Sequence, residues 1–145
     1  MKPKTGHDVV DAILYAAHRI RTAADARLRE SGLSLPAYKL MRALENSDRS
    51  MRELSDVLHI SPRTVTDMID GLEAKALVAR CPHAADRRVT LVRLTEEGRQ
   101  QLAVAATGAE QASRAAMAGL GARDQQTLRE LLEQVAPAAG ATTSP

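Results

Sequence analysis

The chain is poor in the residues that staple folds or furnish reactive pockets. Its 145 residues contain no Phe, no Trp, two Tyr and one Cys. A single thiol excludes an intramolecular disulfide and suits a reducing cytosol. No apolar run approaches the roughly 20 residues needed to cross a bilayer. The opening Met1-Lys2-Pro3-Lys4-Thr5-Gly6-His7 also lacks the apolar stretch of a secretory signal. A cytoplasmic protein with no membrane partner is expected. His7, His18, His59 and His83 are scattered, with no Cys or carboxylate at ligand spacing, so no metal is expected. Neither a glycine-rich phosphate loop nor a nucleophile elbow occurs. With no convergent titratable groups in the pattern, neither catalysis nor a cofactor is expected.

An excess of one charge is missing too. Formal net charge is +2, and residues 51–100 carry eight basic and eight acidic groups. Any grip on a polyanion must therefore come from local arrangement of charge.

What is present is concentrated between residues 50 and 99. Ser50 and Glu53 have the spacing of a capping box, and Met51, Leu54, Val57 and Leu58 follow at helical spacing. His59-Ile60 breaks that helix. Ser61 then suits an N-cap and Pro62 the first helical position, with Val65, Ile69 and Leu72 as a buried stripe flanked by Met68. Two helices joined by so short a turn form a helix-turn-helix, whose second helix enters a DNA major groove N-terminus first. On its outward face, Arg63 can reach guanine or a phosphate, and Thr64 and Thr66 offer hydroxyls and methyls. Ser61 and the free N–H groups at the helix start suit a phosphate oxygen. Asp67 either accepts from a cytosine amine or points away to orient Arg63. An ordinary pair of packed helices with a solvated polar face has the same spacing.

The residues beyond that helix favour DNA. Leu77–Cys81 and Val89–Leu94 are β-prone runs around a Pro82–Arg88 loop, which together read as a hairpin. Arg80, Arg87, Arg88 and Arg93 stand there against one acid, Asp86, which is placed to brace Arg88. A hairpin directly after a recognition helix is a wing, whose arginines lie along phosphates or enter a minor groove.

Ala79-Arg80-Cys81-Pro82 through Asp86-Arg87-Arg88, then Leu94-Thr95-Glu96-Glu97-Gly98-Arg99, resembles the signature of the MarR family of bacterial transcription regulators. Ser61–Thr66 and Leu72–Val78 are similar to that family's recognition helix and its exit. The resemblance covers nearly the whole chain. It implies a mainly α fold with a small β-hairpin wing: a winged helix-turn-helix plus a helical dimerisation region. It further implies a homodimer on a near-palindromic double-stranded operator, often a repressor of neighbouring genes, released by a small ligand. By that resemblance Arg63, Thr64 and Thr66 face bases, Ser61 and Pro62 lie near the backbone, and Arg88 is the wing-tip arginine braced by Asp86. The sequence departs from the pattern at Asp67 and Gly71, at Cys81 and His83, where an arginine and an acid are frequent, and at Ala76. Ala76 replaces a glycine that often ends the recognition helix, so a differently built turn is expected there.

Helical periodicity on either side gives the expected organisation: disordered tails at 1–6 and 138–145, a winged region at 35–94, and a helical dimerisation region from 7–34 and 95–137. Ala105, Ala109, Ala112 and Ala116 permit close helix approach, with a second copy as the simplest partner. Relatives bind anionic aromatic effectors between the dimer helices and the winged region. Tyr15 and His18, with Tyr38 and Arg42, are the candidates to line such a cleft, although packing is the common use of such residues. Cys81 near Arg80 and His83 suggests a redox thiol, against the plainer reading of a small apolar filler. The contrasting function is a winged-helix protein-interaction module without sequence-specific DNA binding.

Overall fold

The computed structural model describes residues 6–135, and they form one mainly helical body with a small sheet. The expected tail at 138–145, and all of that at 1–6 except Gly6, fall outside them. Gly6 itself opens α1 (Gly6–Arg29), which is followed by α2 (Leu35–Ala43), β1 (Arg49–Ser50), α3 (Met51–Leu58) and α4 (Pro62–Ala74). Then come β2 (Val78–Pro82), β3 (Thr90–Leu94), α5 (Glu96–Met117) and α6 (Ala122–Glu133).

Local chemistry sets the helix starts. The Ser50 hydroxyl accepts from the Glu53 N–H while the Glu53 carboxylate takes the Ser50 N–H at 2.7 Å, closing the capping box of α3. Ser34, Ser61 and Thr95 cap α2, α4 and α5 through the N–H groups of Ala37, Thr64 and Gly98. α3 ends at His59, which takes the left-handed conformation at φ 53°.

The hairpin carries a third strand that periodicity does not reveal. Two-residue β1 pairs antiparallel with β3, giving the order β1-β3-β2. Asp48, just before β1, pairs with Arg93 of β3 at 2.6 Å and ties the two together. That contact holds the Arg93 guanidinium above its ordinary pKa.

The core runs from the end of α1 through the sheet. Leu28, Leu40, Met41, Leu54, Val65, Ile69, Val78 and Val92 are buried in it, and Leu102 and Ala105 of α5 close one side. Two left-handed or crowded positions shape the exit from α4. Ala76 sits at φ 57°, so the turn expected to be built differently keeps the left-handed form that a glycine favours. The Leu77 carbonyl then accepts from the Thr95 N–H, and the Thr95 hydroxyl donates to the Ala76 carbonyl at 2.6 Å. A Cβ on Gly98 would lie 1.9 Å from that Leu77 oxygen. The Leu-Thr-x-x-Gly segment is therefore a joint between wing, recognition helix and α5.

The small residues of α5 are used inside the chain. Ala105 and Ala112 are buried, and at Gly108 a Cβ would stand 3.4 Å from the Arg27 carbonyl of α1. They serve the α1–α5 packing rather than a free face, while Ala116 stays exposed. α6 has no buried residue, and Leu128, Leu131 and Leu132 are exposed on it.

Candidate nucleic-acid interface

The first turn of α4 is open to solvent: Ser61, Pro62, Arg63, Thr64, Thr66 and Asp67 are all exposed. Val65, Ile69 and Leu72 on the other side are buried, so the helix is anchored by one stripe and presents the opposite one. Part of the polar inventory is spent on the helix itself. Ser61 and Thr64 share a hydrogen bond between their hydroxyls at 2.8 Å, and the Thr66 hydroxyl donates to the Pro62 carbonyl at 3.1 Å. Thr64 and Thr66 nevertheless remain exposed to solvent. Arg63 and Asp67 form no ion pair with each other among the described residues, so Asp67 does not serve as the brace considered for Arg63.

The wing presents its tip differently. Arg87 and Arg88 are exposed. Arg88 has 91% of its side chain accessible, yet it is aimed, because its Nε lies 3.1 Å from Asp86 Oδ1. The Arg88 backbone N–H donates to the same carboxylate oxygen. These contacts, the Arg88 side chain first and its N–H second, hold the Asp86 carboxyl below the usual carboxylate range. The guanidinium keeps free N–H groups while its direction is limited, which suits a backbone contact.

Arg80, grouped with the wing arginines by sequence, belongs elsewhere. Its Nη2 lies 2.5 Å from Asp70 and its Nη1 bonds to Glu73, both on α4. The Arg80 N–H also donates to Glu73 at 3.2 Å. The Asp70 hydrogen bond first, then Glu73, raises the guanidinium above its ordinary pKa. Two carboxylates on one guanidinium turn Arg80 into a clamp between hairpin base and recognition helix, so it is not a free cation for phosphate. Asp70 and Glu73 were missed as its partners because ten and seven residues of separation across a turn carry no periodic signal.

His83 was singled out as a departure from a family pattern and as a neighbour of the Cys81 thiol. Its Nδ1 accepts from the N–H groups of Ala85 at 3.0 Å and Asp86 at 3.1 Å. Cys81 is half-buried in β2, and the arginine whose charge it bears on is Arg93 of β3 rather than Arg80.

The four residues suggested for a ligand cleft are not gathered within one chain. Tyr38 is buried in the core with Arg42 over its ring at 5.9 Å, whereas Tyr15 is exposed on α1 with Arg19 over its ring at 5.8 Å. Tyr38 belongs to the same buried cluster as Leu40 and Met41. A cleft of about 610 Å³ lies instead between α1, α5 and α6, lined by residues that include Ile20, Arg27, Ala116 and Leu128. Among the described residues no cluster of metal-ligating side chains occurs, and no helix is long and apolar enough to cross a membrane.

A capped, one-side-buried helix beside a braced arginine hairpin defines a winged helix-turn-helix protein. Residues 31–89 match the model of the MarR family. The chain is 28% identical over 106 residues to the HTH-type transcriptional regulator YdgJ of Bacillus subtilis, covering 72% of this chain. The match spans 65% of YdgJ, a little under two thirds of that relative's length. Among solved structures, a mutant MarR from E. coli complexed with operator DNA superposes with a TM-score of 0.83 at 23% identity, covering 90% of this chain and 94% of that one. BpsR of Bordetella bronchiseptica, whose DNA binding is regulated by 6-hydroxynicotinic acid, gives 0.77 at 26% identity over 87% of this chain and 96% of its own.

Proposed function

We propose that this protein binds a near-palindromic operator as a homodimer, represses neighbouring genes, and is released by a small aromatic or anionic ligand. The observation that carries the DNA contact is the pairing of an exposed α4 N-terminal turn with a wing-tip Arg88 that is solvent-open yet braced. Arg63, Thr64 and Thr66 would read base edges, Ser61 and Pro62 would sit at the backbone, and Arg87 and Arg88 would follow phosphates or a minor groove. Asp67, unpaired with Arg63, is left to accept from a cytosine amine.

Exposed apolar residues support the dimer. Val10 and Leu14 of α1 and Leu128, Leu131 and Leu132 of α6 form a surface that water disfavours and a second copy would cover. A two-fold axis there would set two recognition helices about 34 Å apart, one turn of DNA. Support for ligand release comes from BpsR, whose DNA binding responds to a hydroxylated aromatic acid. Action through binding rather than catalysis agrees with the match of residues 31–89 to a regulator family.

The test is affinity selection of genomic DNA fragments on the purified protein at about 150 mM salt, where purely electrostatic binding is weak. One near-palindromic site is the expected result. Unrelated fragments, or none, would overturn the reading in favour of a protein-interaction module.

A further inference from the structure

The wing's DNA contact depends on how its tip is folded, and the fold of that tip rests on one imidazole. The loop closes through the His83 N–H to the Val89 carbonyl and the Val89 N–H to the Asp86 carbonyl, each at 3.0 Å. Inside it, the N–H groups of Ala85 and Asp86 both point at His83 Nδ1. Asp86 in turn aims Arg88. The order is a relay: ring nitrogen to Asp86 backbone, Asp86 carboxylate to Arg88, Arg88 outward.

We propose that His83 is a positioning residue for the wing: as a neutral ring its Nδ1 holds the two N–H groups that orient Asp86 and Arg88, and protonation releases them. The inference rests on the reading that Arg88 contacts DNA. A neutral imidazole has one acceptor nitrogen, and an imidazolium has none. Once Nδ1 carries a proton, three N–H groups crowd one point and the turn must open. An imidazole takes up that proton between about pH 5 and 8. A carboxylate or amide at this position would accept the same two N–H groups without changing state in that range.

The charged groups around the ring do not switch there. Asp86, on the same turn, is held below the usual carboxylate range, first by the Arg88 side chain and its N–H, with His83 a smaller contributor. Glu53, facing from the start of α3, is also lowered, chiefly by the Ser50 N–H and hydroxyl, with Arg49 and His83 smaller. Both depressed carboxylates contribute their contacts above about pH 4 and lose them only below it. A change in DNA binding between pH 8 and 5.5 is therefore not the work of either carboxylate.

The experiment measures affinity of the full chain for a selected operator fragment at pH 8, 7, 6 and 5.5, at fixed salt. It compares wild type with His83→Asn, His83→Ala and Arg88→Ala. Wild type is expected to lose about tenfold or more relative to His83→Asn on acidification, the scale of one lost arginine contact. His83→Asn keeps wild-type affinity at pH 8, because its amide oxygen replaces Nδ1, whereas His83→Ala is weak throughout. All variants but the last share His7, His18, His59 and Arg88, so general gains from added positive charge cancel. In the free protein, the amide resonances of Ala85 and Asp86 should titrate with the His83 ring and stay fixed in His83→Asn.

Parallel profiles for wild type and His83→Asn, with Arg88→Ala still weakened, overturn the role of His83 and leave the wing contact standing. Unmoved Ala85 and Asp86 amides do the same. No loss in Arg88→Ala overturns the wing contact, and this inference with it.

Discussion

The winged half of the molecule and its outer helices are finished to different degrees. Around α2, α3, α4 and the sheet, Leu40, Met41, Leu44, Leu54, Ile69 and Val92 are buried, and Arg80, Arg93 and Asp86 have ionic partners. At the other end Val9, Val10, Leu14 and most of the apolar side of α6 are in water. One half has satisfied its side chains within a single chain, and the other has not. Free energy per buried methylene is about 0.8 kcal/mol in either place, so the outer helices hold a large unspent driving force for association. The winged half is self-contained, while under the proposed function its spacing from a second copy would fall to the helices.

The contrast can be broken most severely at the joint. Gly98→Ala should destabilise the chain by about 3 kcal/mol or more, since a methyl cannot share space with the Leu77 carbonyl and backbone cannot step aside cheaply. Urea unfolding reads this directly, and a loss under 1 kcal/mol would remove the joint from the account. On the outer helices the opposite pattern is expected. Leu128→Asp with Leu131→Asp should leave the unfolding of the winged half near wild type yet weaken self-association about 100-fold, as two buried leucines lost to water imply. Sedimentation across a concentration series measures it; unchanged association would place the dimer face elsewhere.

Smaller effects sharpen the comparison within the winged half. Arg63→Ala should cost about 1–3 kcal/mol in operator affinity at one base position. An equal loss on every sequence would reduce Arg63 to a phosphate contact. Ala76→Gly should stabilise the chain by about 0.5–1 kcal/mol, because relief of the left-handed strain at φ 57° outweighs the added freedom of the unfolded glycine. A lower melting temperature would show that the turn carries no such strain.

Much of the winged half was legible in the sequence because its signals are local. The capping box of Ser50 and Glu53 and the Ser61 cap each span three residues. The Asp86 brace on Arg88 spans two, and a residue's identity nearly decides such contacts. Arg80 was misplaced for the complementary reason. Its sequence position is a strand beside a basic loop, but α4 folds back so that Asp70 and Glu73 reach it first. Tyr38 was read as cleft-lining from its four-residue spacing to Arg42, which holds on the helix surface but does not say which face is covered. Ala105 and Ala112 were recognised as sites of close approach, and only the fold assigned that approach to α1.

By itself, then, the sequence determined the order of the helices and the wing hairpin, the serine and threonine caps that start α3, α4 and α5, and the buried stripe of α4, since helix periodicity and i to i+3 hydrogen bonds are properties of neighbours along the chain. Tertiary structure alone decided the pairing of Asp48 with Arg93, the Arg80 clamp and the clearance at Gly98. Contacts across a fold depend on where the backbone returns, and that is settled by burial of the whole core rather than by any one residue's preference.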